Sequence, residues 1–164
     1  MPQAVKIASG SQWPAEVDAI LRELPEWFGI EQSVLDYVAA ARKLPTTAAL
    51  HGDEVVGVCL VHRHTPVAAE IELLAVRRAW HRHGVGRRLV DAVEAELVAA
   101  GVELLQVKTR GPSAPSQEYE RTREFYVALG FLPLEERTDI WGAENPCLIL
   151  VKPLPRPCEP AVVS

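Results

Sequence analysis

"LLAVRRAWHRHGVGRRLVDAVEAEL", Leu73 to Leu97, contains the change of periodicity on which the fold turns. An apolar run closes at Val76, and basic and histidine residues then crowd around Gly84-Val85-Gly86. Val85, Leu89, Val93, Leu97 and Ala100 follow at helical spacing as far as Gly101. The order is strand, glycine loop, helix. Glycine lets a backbone approach a ligand with its N–H groups exposed, and a helix start adds about half a positive charge. Arg82, Arg87 and Arg88 add cations, so the segment reads as a cradle for a diphosphate, against the competing reading of a basic turn that binds nothing. A Walker loop needs GxxxxGK followed by Ser or Thr, which is absent, and a dinucleotide fingerprint needs a third glycine where Leu89 stands. His62-x-His64 and His81-x-His83 have the spacing of strand chelators. No cysteine or carboxylate sits usefully near them in sequence, so no metal is expected.

Working outward, Val5–Ala8 is a short strand, and Ser11 caps a helix whose first turn holds Pro14 and whose stripe is Val17, Ile20, Leu21 and Leu24. A second helix covers Ser33–Lys43. "TTAAL" and "EVVGVCLVHRH" form strands around a turn at Gly52-Asp53, and "AAEIELLAV" leads into the glycine loop. After the long helix come the strand "ELLQVKT", a helix from a Ser116 cap to Leu129, and the strands "FLPLEER" and "CLILVKPL". The order βααβββαβαββ makes an α+β, or mixed α/β, domain. The crossover from Val76 to Leu104 requires locally parallel strands. One domain is expected over residues 1–152, with a Pro-rich disordered tail over 153–164.

The 164 residues are one ordinary domain's worth of chain, and no run of 18 apolar residues or signal-peptide layout appears. A cytoplasmic protein that engages no membrane is expected. The net charge of -5 argues against a nucleic-acid partner. Cys59, Cys147 and Cys158 form an odd, widely spaced set that reads as reduced thiols.

With these features in place, "LLAVRRAWHRHGVGRRLVDAVEAEL" resembles the acetyl-CoA-binding core of the GNAT N-acetyltransferase superfamily, whose loop reads Gln/Arg-x-x-Gly-x-Gly/Ala. "TREFYVALGF" resembles the family's later helix, ending in FYxxxGF. The resemblance covers about Thr46 to Lys152 and implies a GNAT-like sheet flanked by helices, with acetyl-CoA as cosubstrate and no metal. It implies that Leu74, Ala75 and Val76 offer backbone groups to the pantetheine arm and acetyl carbonyl. It also implies that Arg82, His83, Gly84, Val85, Gly86 and Arg87 wrap the pyrophosphate, and that Tyr126 protonates the leaving thiolate. There are three departures. His81 stands where Gln or Arg is usual, Tyr119 where many members have Asn, and Gln106 where some members place a catalytic Glu.

Acetyl transfer to an amine needs a base, because an alkylammonium has a pKa of about 10. Strict alternation puts Glu70, Glu72, Leu74 and Val76 on one face of their strand, with Ile71, Leu73 and Ala75 on the other. Glu70 matches the position of a base in some family members, and Glu72 lies closer to the expected acetyl group; the choice stays open. Trp27, Phe28 and Trp141, with acidic neighbours, read either as an aromatic set for an amine acceptor, a small molecule or a peptide, or as a cover over the edge of the core. The expected activity is direct transfer in a ternary complex, since no cysteine constellation supports an acyl-enzyme. The alternative from another class is a catalytically silent acyl-CoA-binding regulatory module. The final strands leave room for a homodimer.

Overall fold

Local pairing comes first: the turn at Gly52-Asp53 folds one antiparallel hairpin, and the helical crossover after Val76 brings the next strand alongside in parallel. A computed structural model describes residues 4–157. In chain order the elements are β1 (Lys6–Ser9), α1 (Pro14–Arg22), α2 (Glu31–Ala41), β2 (Thr46–His51), β3 (Glu54–Arg63), β4 (Ala68–Val76), α3 (Val85–Ala99), β5 (Leu104–Arg110), α4 (Gln117–Ala128), β6 (Leu132–Arg137) and β7 (Cys147–Pro153). One seven-stranded mixed sheet runs β1-β2-β3-β4-β5-β7-β6, and only β4 and β5 are parallel. The architecture is the α+β arrangement read from the sequence.

Each face of the sheet has its own core. Val85, Leu89, Val93 and Leu97 of α3 and Tyr126 of α4 pack on one face with Ile71, Leu105 and Leu150. Val17, Ile20 and Leu21 of α1 and Val34 and Val38 of α2 pack on the other with Val58, Leu60 and Leu73. Each such fully buried aliphatic side chain contributes about 1.5–3 kcal/mol. Gly57 of β3 lets α3 come close, since a Cβ there would lie 3.1 Å from both Leu89 and Val85.

Boundaries differ from expectation at four places. The residue before α1 is Trp13 rather than Ser11 and makes no side-chain cap; Pro14, which has no N–H to satisfy, starts the helix instead. Helix α2 starts two residues earlier than Ser33, at Glu31, so Ser33 lies in its first turn. The expected boundary at residue 152 falls inside β7, and Leu154 beyond it is buried, its N–H bonded to the Glu103 carbonyl. Cys158 and the rest of the expected tail lie outside the described residues.

The fourth difference concerns β4. The pairs Val61–Ile71 and Leu60–Leu73 leave Glu72 without an opposite residue, a β-bulge. Alternation therefore does not run through it. Leu73 and Ala75 lie in the core under α1 and α2, whereas Ile71 lies in the α3/α4 core and Leu74 and Val76 pack against it. The expectation that Leu74 and Val76 share a face with Glu70 and Glu72 is corrected. The extra residue flips everything after it.

Candidate active site

The glycine loop leaves a helix start bare. A 3-10 turn at Arg78–Trp80 brings the chain round, Arg82 takes φ 63°, and Gly84 follows at φ 76°. A left-handed arginine is a costly backbone choice of a kind concentrated at functional positions. Gly84 precedes α3 without a side-chain cap, and no acidic residue sits in the first turn. The N–H groups at that start have no partner within the helix. Gly86 lets α3 approach Phe125 of α4, whose ring would lie 3.1 Å from an added Cβ. His81 secures the loop from within, because its Nε2 donates to the Val76 carbonyl at 2.7 Å and ties the loop to the end of β4. Arg88 turns away and donates to the Val5 carbonyl, whereas Arg82, His83 and Arg87 stand exposed at the mouth.

Beside this loop the sheet opens. β4 and β5 pair only from Ala68–Leu104 to Ile71–Val107, although β4 stays with β3 to Val76 and β5 stays with β7 to Arg110. The two strands part after Ile71. Peptide groups of β4 around Leu74, Ala75 and Val76 that point towards β5 thus border a gap instead of a ladder, and polar backbone of this kind seeks a partner. Tyr126 reaches this region from α4. It is buried in edge-on contact with Phe125 and Phe131, and burial raises its phenol far above the ordinary tyrosine value, with Cys59 and Tyr37 adding to the effect. Tyr37 packs with the core on the opposite face.

On the α1/α2 side the gap has a charged floor. Glu70 is buried, its side chain 6% exposed, and its Oε1 accepts from His64 Nε2 at 2.9 Å, Gln106 Nε2 at 2.9 Å and Lys108 Nζ at 3.2 Å. A carboxylate only accepts, so His64 presents its Nε2–H to it. Glu72 is freer: its side chain is 34% exposed, and its contact is His62 Nδ1 at 4.0 Å. The His62 and His64 rings lie 4.3 Å apart. Tyr37 completes the cluster, its phenol pushed up to about 12 chiefly by burial, then by Glu72, Tyr119 and Glu70. Among the described residues, no group of three or more His, Cys, Asp or Glu side chains is arranged to hold a metal ion.

The aromatic set divides. Trp27 is held on the connection between α1 and α2: its Nε1 donates to Thr122 Oγ1 at 3.2 Å, its carbonyl accepts from the Tyr119 hydroxyl at 2.7 Å, and its ring lies edge-on to His81 at 5.8 Å. This connection reaches α4 and the glycine loop together, and ion pairs Arg77–Glu23 and Arg78–Glu26 fasten it further. Tyr119, where Asn is usual, is thus occupied with Trp27. Phe28 stacks edge-on with Tyr37 at 5.8 Å, beside the carboxylate cluster. Trp141 is 44% exposed on the β6–β7 connection. Sequence reasoning missed Lys108, Tyr37 and Arg110 and gave His62 and His64 no role. The available signal was the alternation in "LLQVKTR", where Gln106, Lys108 and Arg110 place three polar side chains on one face of a central strand.

A bare helix start beside a parted pair of strands, on the scaffold described above, is the arrangement of an acyltransferase fold. The chain belongs to the acetyltransferase (GNAT) family, whose model matches residues 13–131. No curated protein matches it. Among solved structures it is similar to a GNAT-family protein from Desulfovibrio desulfuricans, with TM-score 0.80 and 18% identity over 92% of this chain and 99% of that one. An acetyl-CoA-bound GNAT acetyltransferase from Elizabethkingia anophelis matches at TM-score 0.68 and 16% identity, over 92% of this chain and 98% of that one. The aminoglycoside 6'-N-acetyltransferase of Enterococcus faecium matches at TM-score 0.71 and 20% identity, over 93% and 99%. At these identities the likeness shows the fold.

Proposed function

We propose that this protein moves an acetyl group from acetyl-CoA to a primary amine by direct transfer in a ternary complex. The observation that carries the reading is the uncapped start of α3, with Arg82 and Gly84 both left-handed, opening onto the gap between β4 and β5. Main-chain N–H groups of Gly84, Val85 and Gly86, with the side chains of Arg82, His83 and Arg87, suit a pyrophosphate, the His83 N–H itself being turned to the Trp80 carbonyl. The backbone of Leu74, Ala75 and Val76 suits the pantetheine arm, and an N–H near Val76 suits the oxyanion of the tetrahedral intermediate.

The amine lone pair attacks the thioester carbonyl carbon, the C–S bond breaks, and the sulfur leaves as a thiolate. Tyr126 supplies the proton to that sulfur. The phenol is protonated at neutral pH and so has a proton to give, and the burial that raises it makes it a weaker acid that acts only as negative charge develops on the sulfur beside it. The nitrogen must lose a proton to a base. We assign that part to Glu72, acting through water, because Oε1 of Glu70 already accepts three hydrogen bonds while the Glu72 carboxylate stays open to solvent. Glu70 then fixes His64, Gln106 and Lys108 around the floor. Holding both partners in line supplies several kcal/mol of the barrier reduction. Phe28 and Trp27 line the acceptor side.

The deciding experiment is calorimetric titration with acetyl-CoA, together with thiol release across an amine panel. Gly84→Glu puts an anion and a Cβ at φ 76° against the phosphates, and the expected loss of affinity is on the order of 100-fold. Unchanged affinity in the variant would remove the glycine loop from the site. Binding without thiol release on any amine would leave the silent acyl-CoA-binding module.

A further inference from the structure

Arg110 ends β5 on the same face as Gln106 and Lys108, since Leu105 and Val107, which alternate with them along the strand, belong to the α3/α4 core. Its neighbours on that side of the sheet have partners: Lys108 binds Glu70, and Arg137 binds Asp139. Arg110 has none of comparable strength. Its Nε is buried with no hydrogen-bond partner among the described residues, and its side chain's one bond is Nη2 to the Glu144 carbonyl at 3.5 Å, the limit of such a contact. A dry N–H and an unpaired charge are both costly, and an unmet donor of this kind calls for an explanation.

Register supplies the missing partner's position. Glu70 is level with Gln106 and Ile71 with Val107. Allowing for the extra residue at the Glu72 bulge, continuation past the point where the strands part sets Arg110 level with Ala75 on the same face. Ala75 lies within the stretch Leu74–Val76 of β4 whose backbone is proposed to meet the pantetheine arm and acetyl end of the cosubstrate. An acceptor nitrogen attacking there has carboxylates on one side, Glu70 and Glu72, and an unpaired arginine across the gap. The fork of a guanidinium fits a carboxylate through two parallel hydrogen bonds. From this complementarity we infer that the acceptor is a free α-amino acid, its amino group directed to Glu72 and its carboxylate held by Arg110. This inference rests on the transfer reading above and narrows it. Peptide N-termini, polyamines and aminoglycosides carry no carboxylate beside the reacting amine and leave Arg110 unmatched.

The test pairs each of the common L-amino acids with its α-carboxamide and measures binding by calorimetry, with and without CoA, beside thiol release from acetyl-CoA. In the wild-type protein at least one acid is expected to bind about 10- to 100-fold tighter than its amide, the range of a charge-assisted bond. Arg110→Gln should abolish that preference while leaving amide binding unchanged, and Arg110→Lys should keep part of it. Two results would overturn the proposal: no acid outbinding its amide, or Arg110→Gln weakening acid and amide alike, as a structural role would. An acid that binds through Arg110 but releases no thiol would instead sink the transfer reading and leave the carboxylate site standing.

Discussion

The two faces of the central sheet solve different problems with different materials. Under α3 and α4 the surface is apolar, and its polar contribution is backbone: a bare helix start, a left-handed Arg82 and Gly84, and the unladdered edge of β4. Under α1 and α2 the contribution is side chain: Glu70, His64, Gln106 and Lys108 share hydrogen bonds, with Glu72, His62 and Tyr37 around them. Backbone groups offer fixed geometry to a ligand whose shape is the same in every turnover. Side chains offer choice of charge and reach, which suits an acceptor particular to one enzyme. Tyr126 belongs to the first face by packing.

The sharpest way to break this division is Tyr126→Phe. The ring and its edge-on contacts with Phe125 and Phe131 survive, so acetyl-CoA affinity should not change. Losing the acid should lower kcat by about 100-fold, the low end for a positioned proton donor. Steady-state kinetics beside calorimetry separates the two quantities. A variant with full kcat would make Tyr126 a core aromatic and nothing more.

The same division explains what could be read from the sequence. The backbone-built face was legible because glycine has few reasons to recur in Gly84-Val85-Gly86, and because Val85, Leu89, Val93 and Leu97 mark one helical stripe without ambiguity. Element order and the parallel crossover followed from those patterns. The side-chain face was only partly legible. Glu70 and Glu72 were visible as carboxylates, but the bulge at Glu72 has no sequence mark, and strict alternation misplaced Leu74 and Val76. Lys108 and Arg110 looked like ordinary polar residues until the pairing of β4 with β5 brought Lys108 to Glu70, while the buried Nε of Arg110 stayed without a partner among the described residues. Non-local register, not local propensity, decides such contacts.

A second test sits inside the carboxylate cluster, where two similar residues are assigned different work. Glu72→Gln removes an exposed carboxylate and should lower kcat/KM by about tenfold or more while leaving the denaturant midpoint unchanged. Glu70→Gln should do the reverse. It leaves the Lys108 ammonium without its anion, at a cost of about 1–2 kcal/mol, kept small because the Lys108 side chain is 28% exposed. Urea melts and kinetics on both variants give four numbers. If Glu70→Gln carries the kinetic loss and Glu72→Gln does not, the two roles exchange and the buried carboxylate is the base.

The smallest effect expected is in the alkaline range. Burial on the α1/α2 side pushes the Tyr37 phenol up to about 12, whereas in the unfolded chain it ionises at about 10. The folded state therefore retains a proton that the unfolded state has lost. That contribution is fully present below the unfolded value and falls away as pH rises from about 10 to about 12, at about 1.4 kcal/mol per pH unit for one group. Tyr126, raised further by its own burial, declines in parallel. Tyr37→Phe keeps the edge-on contact with Phe28 and should match the wild type in stability and kinetics at neutral pH, yet lose stability less steeply above pH 10. Urea melts at pH 8, 10 and 11 measure this. Equal slopes would mean that Tyr37 ionises as freely folded as unfolded, and that the charged floor is open to water rather than closed beneath α2.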